Sequence, residues 1–372
     1  MERWPESGVP DKPGAWLMAT AKLRAIDLFR RSKLLKRKHE ELSRELASLE
    51  EMSERDFAVA LEQDVGDDLL GLMFIACHPV LSTEARVALT LRLLGGLTTE
   101  EIARAFLVPA STIAQRIVRA KRTLAEARVP FEVPDASERS VRLASVLEVL
   151  YLIFNEGYYA SAGDDWIRPE LCEDALRLGR VLAELVPQEA EVHGLVALME
   201  IQASRTRARV GPSGDLILLL DQDRSRWDHL LIARGLAALD RAQHLGGPPG
   251  PHVLQAAIAA CHARARAAEQ TDWQRIVGLY DILAQIEPSP IVELNRAVAI
   301  SMAVGPAPAL AIVDALLEEP SLKHYHLLPS VRGDLLERLG RRSEACAAFK
   351  HAAELTANTR ERDLLLRRAS TC

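Results

Sequence analysis

Ser111, Thr112, Gln115, Arg116, Arg119 and Arg122 fall together in one short segment of the chain. These side chains recognise by hydrogen bonding rather than by covalent chemistry. Arginine bridges O6 and N7 of guanine, glutamine pairs with adenine, and hydroxyls reach phosphate oxygens, so the chemistry they imply is the reading of a DNA groove. A second polar group, Asn155-Glu156 with Asp221, Asp223 and Arg224, has the residue types of a hydrolytic cluster. Carboxylates in helical proteins more commonly bond to neighbouring loops or arginines, and a pocket joining Glu156, Asp221 and Asp223 is what would separate the two readings. The histidines form no His-Glu-x-x-His or other ligand spacing, and His324-Tyr325-His326 alone is a weak signal. Neither a Gly-x-Gly-x-x-Gly, a phosphate loop nor a nucleophile elbow occurs. The expectation is a protein that is not an enzyme, with no catalytic residue, no metal site and no cofactor.

The elements around the first group are those that present a helix. Thr98-Thr99-Glu100-Glu101 is a capping box, in which the Thr98 hydroxyl serves a first-turn amide while Glu101 reaches back. Ile102, Ala103 and Phe106 then supply an apolar face. Leu107-Val108 make a short turn, and Pro109 opens a second helix. At helical spacing Ile113, Ile117, Ala120 and Leu124 form one stripe, leaving Gln115, Arg119 and Arg122 opposite it, Ser111 and Thr112 at the amino end, and Arg116 on the flank as a phosphate contact. The alternative is an ordinary amphipathic surface helix.

The chain has 372 residues, 48% apolar and 26% charged, which is enough for two or three domains with real cores. Its net charge is −6, so any nucleic-acid binding rests on local segregation of charge. Such segregation is present. Residues 22–38 carry eight basic groups against Asp27, residues 40–68 carry eleven acids against Arg44 and Arg55, and residues 104–128 carry six basic groups against Glu126. A solvated helix face explains any one block alone, but the alternation of all three is harder to explain that way. No apolar run approaches the roughly 18 residues of a membrane span and no signal segment opens the chain, so a cytoplasmic protein is expected. The five cysteines are scattered, without a Cys-x-x-Cys pair, and read as reduced, mostly buried thiols.

Nearly everything after Pro13 has helical periodicity, and no stretch sustains the alternation of strands. Loops are marked at 129–135, 211–214 and 246–251, the first being the expected main domain boundary. Ala297, Ile300, Ala309 and Val313 stand to one another as Gly333, Leu336, Ala345 and Phe349 do, each pair offset by 36. Small residues where helices touch, with larger ones following, are what stacked helix pairs require. A generic helical bundle is the alternative. Trp166, Trp227 and Trp273 lie outside the basic blocks and read as core anchors.

Val80 to Arg86, Leu91 to Ala103, Thr112-Ile113, Arg116 and Arg119-Ala120-Lys121-Arg122 together resemble domain four of bacterial RNA polymerase sigma factors of the extracytoplasmic-function group. Pro13-Gly14-Ala15-Trp16-Leu17, with Ala21 to Asp27 and Arg30-Arg31, resembles the end of domain two. The remainder, with Tyr151 to Tyr158 and Asp221 to Trp227, resembles the tetratricopeptide-like extension of one subgroup, whose repeat period is about 34 residues. The resemblance implies an all-α protein in four parts: a partial sigma domain two at 1–48, its N-terminal helices missing either because the start at Met1 is placed too late or because this copy is truncated; an acidic linker at 49–68; sigma domain four at 69–130; and a helical extension at 131–372. It implies that domain four reads the minus-thirty-five element and that domain two, through Trp16, Lys22, Arg24, Arg30 and Arg31, captures melted minus-ten DNA. Core RNA polymerase and promoter DNA are then the partners, with a small YCII-related protein or the protein's own N-terminal half as the extension's partner. In such factors the linker threads the RNA exit path, and the acidic stretch here is either a mimic of nascent RNA or a solvated spacer. Leu23 stands where relatives often carry Asn, and Leu107 where the turn commonly carries Gly. The competing reading is a helix-turn-helix regulator that works without polymerase and senses a ligand through its helical repeats.

Overall fold

The computed structural model describes residues 65–371 apart from 107, 130–132, 135, 161, 164–165 and 212–215. Trp16, Lys22, Arg24, Arg30, Arg31 and most of the acidic linker lie outside the described residues. So does Leu107. Within the described residues the protein is all-α: fifteen α-helices, with one parallel pair of two-residue strands.

Helix α1 (Val65–Ala76) already includes the last positions of the expected linker. Helix α2 (Thr83–Thr90) is capped by Ser82, whose hydroxyl accepts from the Ala85 amide at 3.4 Å. It runs on into a π-helical turn, Leu91–Gly95, that ends at Gly96 with φ 80°, a left-handed conformation that glycine adopts at little cost. That reversal delivers the chain to α3 (Thr99–Ala105) and then α4 (Ala110–Glu126). Helix α4 ends in a left-handed residue too, but here it is Arg128 (φ 49°), followed by bonds from the Arg128 amide to Ala125 O and from the Val129 amide to Leu124 O. This is a Schellman ending with an arginine, and so a Cβ, in glycine's usual place. Arg128→Gly removes left-handed strain and gives back part of the gain as unfolded-chain entropy, so chemical denaturation is expected to show about 0.5–1 kcal/mol of added stability.

The remaining helices are α5 (Ala136–Tyr158), α6 (Pro169–Leu185), α7 (Ala190–Ala203), α8 (His229–His244), α9 (Pro251–Arg264), α10 (Trp273–Ile286), α11 (Pro290–Ala303), α12 (Pro306–Ala315), α13 (Leu327–Arg338), α14 (Arg342–Leu355) and α15 (Thr359–Thr371). Prolines open α6, α9, α11 and α12, where a missing N–H costs no helical bond. Successive helices pack on one another along the chain. The 36-residue offset falls on the pairs α11/α12 and α13/α14. Ala297, Ala309, Val313, Leu336, Ala345 and Phe349 are all fully buried in one cluster. A Cβ on Gly333 would stand 2.5 Å from the Phe349 ring, so glycine is what lets α13 approach α14.

The loop at 129–134 does not separate two cores. One cluster of buried apolar side chains runs from Leu70 in α1, through Ile102, Ile113 and Leu124, to Val146, Phe154, Leu178 and Met199. Polar ties reinforce it: Arg86 of α2 donates to Ser145 and Glu148 of α5, and Arg177 of α6 donates to the Leu94 carbonyl of the π turn at 3.0 Å.

At the far end, β1 (Ala162–Gly163) pairs in parallel with β2 (Ala357–Asn358), joining the start of the extension to its last helix. The Asn358 side chain donates to Ala160 O at 3.2 Å. Glu361, buried in α15, accepts from Tyr159 and from Thr356, with the His326 ring 3.1 Å away. Burial alone would raise its pKa, but these bonds outweigh burial and hold it below its usual 4.5. A carboxylate held low stabilises the fold above its ordinary pKa and loses that contribution as pH falls through the folded value. Thermal melts taken from neutral pH downward are therefore expected to show a steeper fall for the native chain than for Glu361→Gln.

Candidate nucleic-acid interface

Helices α3 and α4 form the expected helix-turn-helix. The capping box is present in both directions, with the Thr98 amide 2.7 Å from a Glu101 carboxylate oxygen and the Glu101 amide 3.2 Å from the Thr98 hydroxyl. Ile102 is fully buried, and Val108 N donates to Ala103 O across the turn at 3.0 Å. Pro109 stands at the N-cap rather than inside α4, and its carbonyl takes the Thr112 amide at 2.9 Å. Being an N-cap without a side-chain acceptor, it leaves the first amides of α4 turned outward, where they suit a phosphate.

The stripe Ile113, Ile117, Ala120 and Leu124 is buried, which rotates Ser111, Gln115, Arg119 and Arg122 to solvent. Arg119 and Gln115 have no hydrogen-bond or ion-pair partner among the described residues. Arg122 is held 2.6 Å from Glu126 one turn on, a pair with both members largely exposed, which contributes little and opens readily to a phosphate. Thr112 and Arg116 are half-buried on the flank. Arg116 lies on the side that faces the extension, where it lines a cavity together with Glu84.

The residue pattern alone passes over Val118. It is 65% exposed on the same face as Ser111, Gln115 and Arg122, in the place for an apolar contact with a thymine methyl group. The signal was there in the helical wheel: an apolar residue opposite the packed stripe has nothing in its own protein to cover it.

The second polar group is not assembled into one site. Glu156 pairs with Arg168, and neither Asp221 nor Asp223 lines the cavity that Glu156 faces. Asp223 is exposed and accepts from the amide and hydroxyl of Ser225 at 2.9 and 2.7 Å. Arg224 does structural work, donating to the carbonyls of His262 and Ala265 at 2.5 and 2.7 Å and so closing the end of α9. Trp166 and Trp227 are buried, and Trp273 packs edge-on against His262. Cys77, Cys172 and Cys261 are buried free thiols, and burial pushes Cys77 and Cys172 up to about 12, which keeps them unreactive. Among the described residues no group of three His, Cys, Asp or Glu side chains is placed to hold a metal ion, and no helix is long and apolar enough to cross a membrane.

A buried-stripe helix that turns Ser, Gln, Val and two Arg side chains to solvent behind a capped scaffold helix defines a helix-turn-helix DNA-binding protein. Residues 72–124 match the family described as Sigma-70, region 4, and residues 142–243 match a family of unknown function, DUF6596. The chain is 44% identical over 369 residues to the uncharacterized protein R00370 of Rhizobium meliloti (strain 1021), an alignment that covers 97% of this chain and 84% of that protein. It belongs to one family with that protein, and region 4 makes it a sigma-factor-like, DNA-binding transcription protein. Region 4 is a DNA-binding domain type and not an enzymatic one.

Proposed function

We propose that the protein is a sigma factor of the extracytoplasmic-function group, acting in the cytoplasm to direct core RNA polymerase to specific promoters. Helix α4 reads the minus-thirty-five element through Ser111, Thr112, Gln115, Arg119 and Arg122, with Arg116 on a flanking phosphate. Trp16, Lys22, Arg24, Arg30 and Arg31 serve melted minus-ten DNA, and the tetratricopeptide-like extension regulates region 4 against which it packs. The observation that carries this reading is the partner-free Arg119 and Gln115 on the open face of a region 4 helix whose other side is locked into the core.

Run-off transcription with core polymerase, on DNA from upstream of the protein's own gene, tests it. Transcripts that depend on the full chain support the reading. Their absence on a promoter active in the host, with the chain failing to co-purify with polymerase, sinks it in favour of the polymerase-independent regulator. Within the reading, Arg119→Ala is expected to cost about 1–3 kcal/mol of binding to promoter DNA and far less on random DNA. Arg116→Ala weakens binding to both alike. Equal loss on both DNAs for Arg119→Ala, measured by fluorescence anisotropy, would contradict its base-reading role.

A further inference from the structure

Between the helix-turn-helix and the extension lies a cavity of about 920 Å³. One wall is region 4, with Thr83, Val87 and Phe106. The other is the inner surface of the helical extension, to which α5, α7, α9, α10, α11 and the approach to α13 all contribute. The chain has only five tyrosines, and all five line this space: Tyr151, Tyr158, Tyr159, Tyr280 and Tyr325. They come from three separate parts of the sequence, 151–159, 280 and 325, which only the fold brings together. A wall needed only for packing would be built from leucine and alanine, as the neighbouring cores are. Tyr151 and Tyr159 bond to Gln255 and Glu361, whereas the hydroxyls of Tyr158, Tyr280 and Tyr325 have no hydrogen-bond partner among the described residues.

Charge within the cavity is lopsided. Arg205 lines it, is 8% exposed, and shares its bonds with Gln202 rather than with a carboxylate; its Nε has no partner. The guanidinium lies 5.8 Å from the Tyr158 ring centre and 5.9 Å from that of Trp227. Arg209, which is behind the wall and not on it, lies 3.7 Å from the Tyr158 ring centre and also makes no ion pair with a carboxylate among the described residues. His262, also on the wall, has an unpartnered Nδ1. Burial, Arg205 and Arg224 hold it down at about 4, so at neutral pH it adds no charge of its own but offers a hydrogen bond. The acids on the wall do not compensate: Glu156 is neutralised by Arg168, and Glu84 lies at the region 4 side beside Arg116. A guanidinium withdrawn from water without a counter-anion is unfavourable, and a carboxylate that fits its fork relieves that cost. Aromatic walls suit a flat body, and the volume is that of a small-molecule site.

We infer that this cavity binds a small aromatic carboxylate, its ring among the tyrosines and its carboxylate on Arg205, in contact with region 4 and extension at once. The inference does not rest on the promoter reading, since binding is measured without DNA or polymerase.

Calorimetric titration of the full chain with benzoate, salicylate and indole-3-acetate, each against its neutral amide, provides the test. At least one carboxylate is expected to bind saturably and at least about ten-fold more tightly than its amide. Arg205→Gln should erase that preference. Because loss of a buried arginine also threatens folding, Asn295→Trp supplies a second variant: Asn295 is exposed on α11 at the cavity wall, so a bulky ring there intrudes on the space without replacing a buried side chain. It should abolish binding of acid and amide alike in a chain that melts as the native one does. Absence of saturable binding by all three acids, equal affinity for acids and amides, or binding unchanged in Asn295→Trp would each overturn the inference.

Discussion

Gly157→Ala is expected to cost about 3 kcal/mol or more, a large share of the roughly 5–15 kcal/mol that keeps a domain folded. Gly157 lies in the last turn of α5, where α6 begins its return. A Cβ built there stands 2.6 Å from the Cys172 amide nitrogen and 2.9 Å from the Arg168 carbonyl oxygen, both of them backbone atoms. No rotamer change relieves a clash with backbone, so α5 and α6 must move apart. That movement also strains the bond from the Arg168 amide to the Gly157 carbonyl (2.7 Å) and the fit of Cys172 beneath Phe154. Gly278→Ala is the matched control. Its Cβ would meet nothing within 4 Å, it is in the middle of α10, and alanine is the better helix former there, so its effect is neutral or stabilising by up to about 1 kcal/mol. Urea denaturation of the two variants side by side measures the difference.

Arg86→Met is the second large effect, expected at about 2–3 kcal/mol. The Arg86 guanidinium is buried and bonds to Ser145 at 2.5 Å, Glu148 at 2.8 Å and Thr83 at 2.9 Å, while Ser145 in turn serves the Cys77 carbonyl. Removing it strands several polar groups at the junction of α2 and α5. The figure stays below that of a fully buried ion pair because the Glu148 side chain is 49% exposed and regains water when its partner goes. For the same reason Glu148→Gln alone should cost less than about 1 kcal/mol, and the double variant less than the two single changes together. The change should also weaken the grip of the extension on region 4, read as faster proteolysis near 129–135 in the folded protein. If the double variant equalled the sum of the singles, the ion pair would not be what joins these helices.

The two halves of the molecule were legible in the sequence to different depths, for a physical reason. Capping by Thr98 and Glu101 and the stripe from Ile113 to Leu124 are relations built from steps of three and four residues, so helical geometry alone predicts them, whereas the burial of Gly333 and Phe349 was readable only through the 36-residue offset. The composition of 129–135 reads as a loop, but whether a loop divides two cores depends on the faces that meet beyond it, and Leu124 and Val146 meet within one cluster. Asp223 and Arg224 are adjacent yet do unrelated jobs, one closing its own turn and the other holding carbonyls about forty residues away. Local pattern cannot separate them. The tyrosine-lined cavity was the least legible of all, because its residues are unremarkable where they stand and acquire meaning only when helices far apart in sequence are stacked.

The pairing of Ala162 with Ala357 bears on how the protein is made. Helices α1 to α4 leave the ribosome long before Asn358 and Glu361 exist, so the region that binds DNA is synthesised first while the segment that locks the loop after α5 comes last. A premature stop or a frameshift before Ala357 leaves that loop without its far strand. Its effect then appears beside Gly157 and Arg168, next to the core shared with the DNA-binding helices, and not at the terminus where the error lies. Residues 357–361 thus act as a late lock, one that closes only after the DNA-binding helices have long been made.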